Sequence, residues 1–204
     1  NSAQTERQVT STRQSLECPM GPFKIRRGTV ADAAVLAELA ARTFSEAFAA
    51  SNTPDDLDAH LRASFGVAQQ SAELADPDVR TLVALQEGRL VAYAQVRRKS
   101  APDCVAIQRP VELHRIYLLR SVHGTGLAAR LMREAGIAAR ELGGENLWLG
   151  VWEHNDRALA FYRKAGFKTV GSHVFVVGSD RQTDLVLVGP PLCETDQDPA
   201  QEHT

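Results

Sequence analysis

The sequence predicts one α/β domain, a mixed sheet with helices on its faces. Three features predict it: apolar runs that alternate with polar residues, longer stretches with a helical period, and Gly, Asn or Pro where one period replaces the other. The chain has 204 residues, of which 44% are hydrophobic and 24% charged. Such a chain fits a single domain that buries about 70% of its unfolded surface.

The first segment predicts a strand and two helices. Residues 23–28 alternate apolar and polar as a strand does, and Thr29 is placed to cap an amphipathic helix over 31–48. A second short helix begins after Thr53, with Pro54 at its first position. The run "AELADP" that follows adds a turn of helix.

The middle of the chain predicts a hairpin, a long strand and a helix. Two runs rich in Val and Leu, 80–86 and 89–98, meet at "EGR", which is a hairpin pattern. A longer strand is predicted over roughly 104–119. The period then changes to a helical one over 126–144, where two glycines end the helix as a C-cap.

The last part predicts a strand, a helix that begins at an Asn cap, and a closing strand pair. They fall, in order, at 146–152, 155–166, 167–178 and 182–189. The ends of the chain are polar or acidic and lack a period, so neither buries much apolar surface. We therefore predict flexible tails over 1–22 and 191–204 and a domain over 23–190.

Composition excludes several classes of protein. The net charge is -2 without a block of Lys or Arg, which argues against a nucleic-acid partner. No apolar run reaches the roughly 18 residues that cross a bilayer, so no membrane partner is expected. The three cysteines, Cys18, Cys104 and Cys193, lack the spacing of a disulfide framework or a zinc site. We expect a cytoplasmic protein without a metal.

The segment "HGTGLAARLM", residues 123–132, points to an anion site. It follows the predicted fourth strand and opens a helix, whose first N–H groups lack partners and carry a partial positive charge. Gly124 and Gly126 remove side chains where an oxygen-rich ligand must come close. The simpler alternative is a tight turn between strand and helix that holds nothing.

Two common phosphate motifs do not fit this turn. A nucleotide P-loop requires Lys and then Ser or Thr after its second glycine, whereas Leu127 and Ala128 follow Gly126. A dinucleotide fingerprint requires a third glycine in the first strand-to-helix turn, but here Ala stands at that place and the turn comes later.

The turn and its neighbours resemble the GNAT superfamily of acyl-CoA N-acyltransferases. The loop is similar to the family's pyrophosphate motif, Gln/Arg-x-x-Gly-x-Gly/Ala, except that His123 stands at the first position. "RIYLL" looks like the family's central strand, and "NDRALAFYRKAGF" resembles its Asn-x-x-Ala-x-x-x-Tyr-x-x-x-Gly-Phe block. The order of elements over 23–189 agrees. "ELHRIYLL" and "HVFVVGSDRQTDLVL" look closest to the bacterial polyamine N-acetyltransferase subgroup.

The resemblance implies a twisted, mostly antiparallel sheet of about seven strands, flanked by about four helices. It also implies acetyl-CoA as co-substrate. The backbone at Ile116, Tyr117 and Leu118 would pair with the pantetheine arm like an added strand. The remaining cofactor contacts would come from the loop, the Asn cap and the tyrosine: His123, Gly124, Thr125, Gly126, Leu127, Ala128, Ala129, Asn155 and Tyr162.

Two residues are predicted to catalyse the transfer. Tyr162 would give a hydrogen bond or proton to the leaving sulfur, because a phenol pKa near 10 suits a thiol pKa of about 8.5. Some relatives carry a glutamate where this chain has Gly150, so the base must come from elsewhere. We predict Glu112, which strand period places on one face with His114 and Ile116.

Each of these residues has a structural alternative. Tyr162 could be a core tyrosine, and Asn155 serves as an N-cap whether or not it also contacts cofactor. Glu112 could be paired with a cation such as Arg115. Glu153, the other candidate base, lies next to the cap and could be only structural.

The sequence thus predicts direct acetyl transfer from acetyl-CoA to a small amine, a polyamine being one candidate. An enzyme that acetylates proteins or peptides and a CoA-binding module without catalysis remain alternatives. The resemblance also allows a homodimer. Because Arg is common where His123 stands, we expect His123→Arg to leave CoA binding intact or to strengthen it.

Overall fold

A computed structural model of the chain describes residues 22–49, 53–177 and 180–192. It contains seven strands: β1 (Lys24–Arg27), β2 (Val79–Gln86), β3 (Arg89–Arg97), β4 (Pro110–Leu118), β5 (Asn146–Trp152), β6 (Lys168–Val177) and β7 (Asp180–Pro191). They form one sheet in the order β1-β2-β3-β4-β5-β7-β6. Most of the two predicted tails, residues 1–21 and 193–204, lies outside the described residues.

Five α-helices flank the sheet: α1 (Ala33–Phe48), α2 (Pro54–Ser64), α3 (Val67–Ala75), α4 (Leu127–Glu141) and α5 (Asp156–Lys164). The mixed, mostly antiparallel fold is therefore confirmed, with one helix more than predicted. The additional helix is α3, where the sequence indicated only a turn; buried Gln70 anchors it by donating to the Ser64 carbonyl at 3.2 Å. No described helix is long and apolar enough to cross a membrane.

Each face of the sheet is covered by its own apolar core. On one face α4 and α5 pack on the central strands, with Leu127, Leu131 and Leu149 fully buried among them. On the other face α1 and α2 pack over the β2–β3 hairpin, around Leu36 and Tyr93. The central strands are therefore held from both sides.

A β-bulge in β4 changes which residues share a face. Gln95 pairs with Arg115, but the next residue, Val96, pairs with Leu113, so His114 is an extra residue in the strand. Glu112 consequently lies on the face of Arg115, beneath α1, whereas Ile116 packs on the α4 side. The predicted common face of Glu112 and Ile116 is wrong, because one inserted residue inverts the alternation.

The β4–β5 pair is parallel and short. Its described register covers only Pro110 with Asn146, Val111 with Leu147, and Glu112 with Trp148. Beyond Glu112, no strand of the described part of the chain pairs with the β5 side of β4, while β5 continues beside β7. The two central strands thus part, and a cleft opens between them. The strand predicted over 104–119 begins only at Pro110, because residues 101–109 form turns.

We predict that Gly144→Ala destabilises the fold where α4 returns to β5. The glycine pair does end α4, with the Gly143 N–H donating to the Arg140 carbonyl. A Cβ on Gly144 would lie 2.5 Å from Val111 Cγ2 and 2.9 Å from the Ala139 carbonyl oxygen. Overpacking of this kind costs about 2 kcal/mol in free energy of unfolding.

Urea denaturation of both Gly144→Ala and Gly136→Ala would check this prediction. Gly136 lies inside α4, and a Cβ there meets only the flexible end of Leu192 at 3.3 Å. Alanine is the better helix former, so this control should be neutral or more stable by about 0.5 kcal/mol. Equal midpoints for the two variants would contradict the packing argument.

Candidate active site

The cleft between β4 and β5 has a volume of about 1530 Å³ and is the large cavity of the described residues. Its walls come from β4, the first turns of α4 and α5, β5, and the aromatic side chains of α1 and α2. Eleven of the predicted cofactor residues line it: Ile116, Tyr117, Leu118, His123, Gly124, Gly126, Leu127, Ala128, Ala129, Asn155 and Tyr162.

The glycine turn forms an open cradle at one end of this cleft. Gly124 and Gly126 have φ of +78° and +81°, a left-handed conformation that strains other residues. A Cβ on either would meet no atom within 4 Å. The first helical N–H with a backbone acceptor is that of Arg130, which donates to the Gly126 carbonyl at 3.2 Å, so the helix itself does not use the N–H groups before it.

Two residues predicted to bind cofactor have side chains that serve the turn itself. The Thr125 hydroxyl donates to the Val122 carbonyl at 2.8 Å and accepts weakly from the Leu127 N–H at 3.4 Å. Leu127 is fully buried in the core beneath α4. Only the backbone of these two residues could contact a ligand.

His123 holds an arginine that the sequence reading missed. Its Nε2 lies 3.1 Å from the Leu118 carbonyl, and its Nδ1 lies 2.7 Å from an Arg157 guanidinium nitrogen. A carbonyl only accepts and a guanidinium only donates, so the ring is a neutral imidazole with its proton on Nε2. Burial, and then Arg157, lowers the pKa of His123, which agrees with this state.

This pairing argues against the expectation for His123→Arg. An arginine has no acceptor for the Arg157 guanidinium and would place a second cation beside it. The positive charge beside the glycine turn therefore belongs to Arg157, and Arg133 and Lys164 also line the cleft. The family motif covers only the loop. It therefore does not indicate that His123 of the loop contacts Arg157 on α5.

Tyr162 lies on α5 at the wall between the two strands. Asn155 caps this helix by accepting from the Ala158 N–H at 3.1 Å, as predicted. The Tyr162 side chain is 8% exposed and packs on the rings of Phe161 and Phe167. Burial, reinforced by Tyr117, raises the pKa of the Tyr162 phenol. The phenol therefore stays protonated and is a hydrogen-bond donor.

Tyr117 lies on β4, with its side chain on the α1 side of the sheet. Its ring packs against Phe44 and Tyr93 on the α1 side of the sheet. Burial raises the pKa of its phenol to about 12. Its neighbours Ile116 and Leu118 pack on the opposite core. The backbone of this segment, without a β5 partner, forms one edge of the cleft.

Glu112 is ion-paired, although not with Arg115. Its carboxylate accepts from Arg97 at 2.5 Å and 3.2 Å and lies 3.6 Å from His114 Nδ1. Although burial opposes ionisation, His114 and Arg97 lower the pKa of Glu112 to about 2. Arg115 instead pairs with the partly buried Glu73 at 2.5 Å. A carboxylate this acidic holds a proton poorly, which weakens the case for Glu112 as base.

Another carboxylate reaches the cleft, and the sequence reading did not single it out. Asp184 on β7 lies between Trp152 on β5 and His173 on β6 in the strand register. Asp184 Oδ2 is 3.3 Å from the point where a Cβ on Gly150 would stand, and His173 Cε1 is 3.1 Å from it. By contrast Glu153 is exposed beyond the end of β5, near His154.

No group of three metal-binding side chains occurs among the described residues. The site combines a backbone cradle flanked by cations, an open strand edge, a buried phenol and a carboxylate beside an imidazole. These are parts for binding a phosphorylated ligand along the cleft and for reaction at its inner end.

Two relatives resemble this chain in sequence over most of its length. An uncharacterized N-acetyltransferase of Mycobacterium tuberculosis is 38% identical over 157 residues, which cover 77% of this chain and 96% of that protein. An uncharacterized N-acetyltransferase of Lactobacillus delbrueckii subsp. lactis is 34% identical over 71% of this chain and 84% of its own length.

Solved structures show the same arrangement. The PaiA N-acetyltransferase of Thermoplasma acidophilum, solved in complex with coenzyme A, superposes with a TM-score of 0.67 at 19% identity, covering 82% of this chain and 98% of that one. The ribosomal-protein-S18-alanine N-acetyltransferase of Escherichia coli gives 0.59 at 14% identity, with 87% and 98% covered. Residues 36–167 match the family model described as "Acetyltransferase (GNAT) family". The chain belongs to this family and is an acyltransferase.

Proposed function

We propose that the protein transfers an acetyl group from acetyl-CoA to a primary amine of a small molecule, by direct attack in a ternary complex. One observation carries the proposal: the glycine cradle, the open edge of β4 and Tyr162 line the same cleft. An extended cofactor bound along that cleft would reach from the cations at its mouth to the phenol inside.

The residues present fit acetyl-CoA. The cradle offers unpaired N–H groups for a pyrophosphate, and Arg157, Arg133 and Lys164 supply positive charge beside it. The backbone of residues 113–118 offers hydrogen bonds to the amides of a pantetheine arm, in the manner of an added strand. Coenzyme A bound to the structurally similar Thermoplasma protein supports this assignment.

Acetyl-CoA supplies the thioester whose carbonyl the amine attacks. In this proposal the Tyr162 phenol donates a hydrogen bond to the departing sulfur. Since burial raises the pKa of Tyr162, the phenol donates this bond without losing its proton before the sulfur becomes negative. No cysteine of the described residues lines the cleft, and this supports direct attack over an acetylated cysteine.

The acceptor must lose a proton before it attacks. An alkylamine with a pKa near 10.4 is neutral at pH 7 only at a cost of about 4.6 kcal/mol. A base at the inner end of the cleft therefore contributes to the rate. Glu112, with its pKa of about 2, is a less effective proton acceptor there than an unpaired carboxylate.

Two other functions have to be distinguished from this one. The family also includes enzymes with protein substrates, such as the Escherichia coli structural relative named above. A module that binds CoA without catalysis is the third candidate. We favour the small-molecule enzyme because aromatic side chains from α1 and α2 wall the inner cleft, leaving little room for a folded protein.

Acceptor panels test the proposal. Thiol release from acetyl-CoA would be followed with phenethylamine, spermidine, lysine and a peptide with a free N-terminus, and each acetylated product identified by mass spectrometry. We expect turnover with a small amine and little with the peptide. Preference for the peptide would favour the protein-directed enzyme, whereas tight acetyl-CoA binding without any turnover would support the binding module.

Tyr162→Phe tests the role of the phenol. The substitution keeps the ring and its packing but removes the donor to sulfur. We expect kcat to fall about 100-fold with the Kd for acetyl-CoA unchanged, since positioned acids contribute roughly 10² or more. Tyr93→Phe is the matched control, because that phenol is buried away from the cleft. Unaltered kcat in Tyr162→Phe would assign this residue to the core.

The His123–Arg157 pair is tested by binding rather than by rate. We expect Arg157→Gln and His123→Arg each to weaken acetyl-CoA binding about 10-fold in calorimetry, since one removes a cation and the other displaces it. Arg163→Gln, an exposed change on the same helix outside the cleft wall, is the control. Tighter binding by His123→Arg would restore the interpretation drawn from the family motif alone.

A further inference from the structure

We propose that Asp184 binds the ammonium group of the acceptor and takes its proton, in the space that Gly150 leaves open beside His173. This inference rests on the proposed function, since it names the residue that prepares the amine for attack. It also limits the acceptor to a molecule with one ammonium group near an apolar body.

The position of Asp184 follows from the sheet. Trp152, Asp184 and His173 are direct neighbours across β5, β7 and β6, so their side chains share one face. Gly150 lies two residues before Trp152 on that same face and carries no side chain. The carboxylate and the imidazole occupy the border of this gap, at 3.3 Å and 3.1 Å from where a Cβ would stand. All four residues line the cleft.

Asp184 is chemically distinct from the other carboxylates of the cleft. Glu112 is held by Arg97, and Glu46 accepts from Arg42 and from the Arg120 backbone. Among the described residues no Arg or Lys pairs with Asp184. A partly buried carboxylate without an arginine or lysine partner favours either a proton or an incoming ammonium. An acceptor amine would bind as an ammonium group and would then give its proton to the carboxylate.

The surroundings of Asp184 favour a role as the base that takes the proton of the acceptor. Burial raises the pKa of the Asp184 carboxyl, and His173 opposes this only in part. Among the described residues the titratable groups that interact electrostatically with Asp184 are His173 and Tyr117. A carboxylate with a raised pKa accepts a proton more readily than an ordinary one. His173 Nδ1 is buried and has no hydrogen-bond partner among the described side chains, so this imidazole can still form a hydrogen bond.

Deprotonation of the amine and transfer of the acetyl group conserve atoms and charge. The ammonium group gives one proton to the Asp184 carboxylate, and the neutral amine forms the new C–N bond while the C–S bond breaks. Tyr162 gives its phenolic proton to the departing sulfur, and the second proton that the nitrogen loses returns the phenol to its neutral form. The products are the amide, the thiol and a neutral Asp184, which returns its proton to water.

The same arrangement selects the acceptor. A polyamine would place several ammonium groups in a cleft where the other carboxylates already have cationic partners, so we expect it to be a weaker acceptor. Trp148 and Trp152 flank Gly150 on β5, and Phe48 packs edge-on against Trp152 at 6.3 Å. An aromatic or alkyl monoamine would bury its body among these rings.

Asp184→Asn tests the inference, with activity measured on the amine from the panel that reacts fastest. We expect kcat/KM to fall at least 100-fold at pH 7 while the Kd for acetyl-CoA stays unchanged. The deficit should shrink as pH approaches the pKa of the amine, because an amine that is already neutral needs no base. Asp103→Asn, an exposed carboxylate of the loop before β4, is the matched control.

Tryptophan emission gives a readout that needs no turnover. Both tryptophans of the chain border Gly150. We expect the emission of the free protein to change with pH as Asp184 titrates, at a higher pH than an ordinary Asp. Phenethylamine should quench it in the wild type. Both responses should be lost in Asp184→Asn and kept in Asp103→Asn.

The outcomes separate the two proposals. Normal activity of Asp184→Asn, or a deficit independent of pH, would overturn the role of Asp184 while leaving the acetyltransferase proposal intact. A wild type that binds acetyl-CoA but acetylates no amine would overturn the proposed function and this inference with it. A stronger response to spermidine than to phenethylamine would contradict the acceptor class.

Discussion

The parting of β4 from β5 is the constraint on which the site depends. The two strands pair over three residues and then separate at Glu112 and Trp148. A strand inside a sheet normally pairs along both edges, so this separation leaves backbone groups of β4 without a strand partner among the described residues. The bulge at His114 lies next to the separation and turns the strand. The N-terminal ends of α4 and α5 then meet at the gap, so their polar groups line the cleft.

The site combines two electrostatic environments along one groove. Its mouth is positive, since the end of α4 and the His123–Arg157 pair present donors and charge. Its inner end is lined by aromatic side chains, with raised pKa values at Tyr117, Tyr162 and Asp184. In the proposed function, phosphates would bind at the positive mouth and proton transfer would take place at this less polar end. The low polarity that makes the phenol a donor also makes the carboxylate a better base.

Much of the fold could be predicted from the sequence, because period and caps are local properties. Thr53, Asn155 and the glycines after α4 cap helices as predicted. The bulge at His114 could not be predicted, since an inserted residue leaves no mark on the alternation until the partner strand is known. It reversed the predicted relation between Glu112 and Ile116. Arg157, His173 and Asp184 escaped notice for a related reason: their importance arises from neighbours on other strands and loops, 34 positions away in the case of Arg157 and His123.

Amide hydrogen exchange over residues 113–118 tests the central claim most directly, because these residues form the open edge of β4 opposite β5. If the cleft holds acetyl-CoA with its pantetheine arm paired to this edge, exchange here should slow on addition of acetyl-CoA. The N-terminal turn of α4 should be protected too, while the β2–β3 hairpin should be unchanged. Protection confined to the helix end, with β4 exchanging at its free rate, would contradict the account.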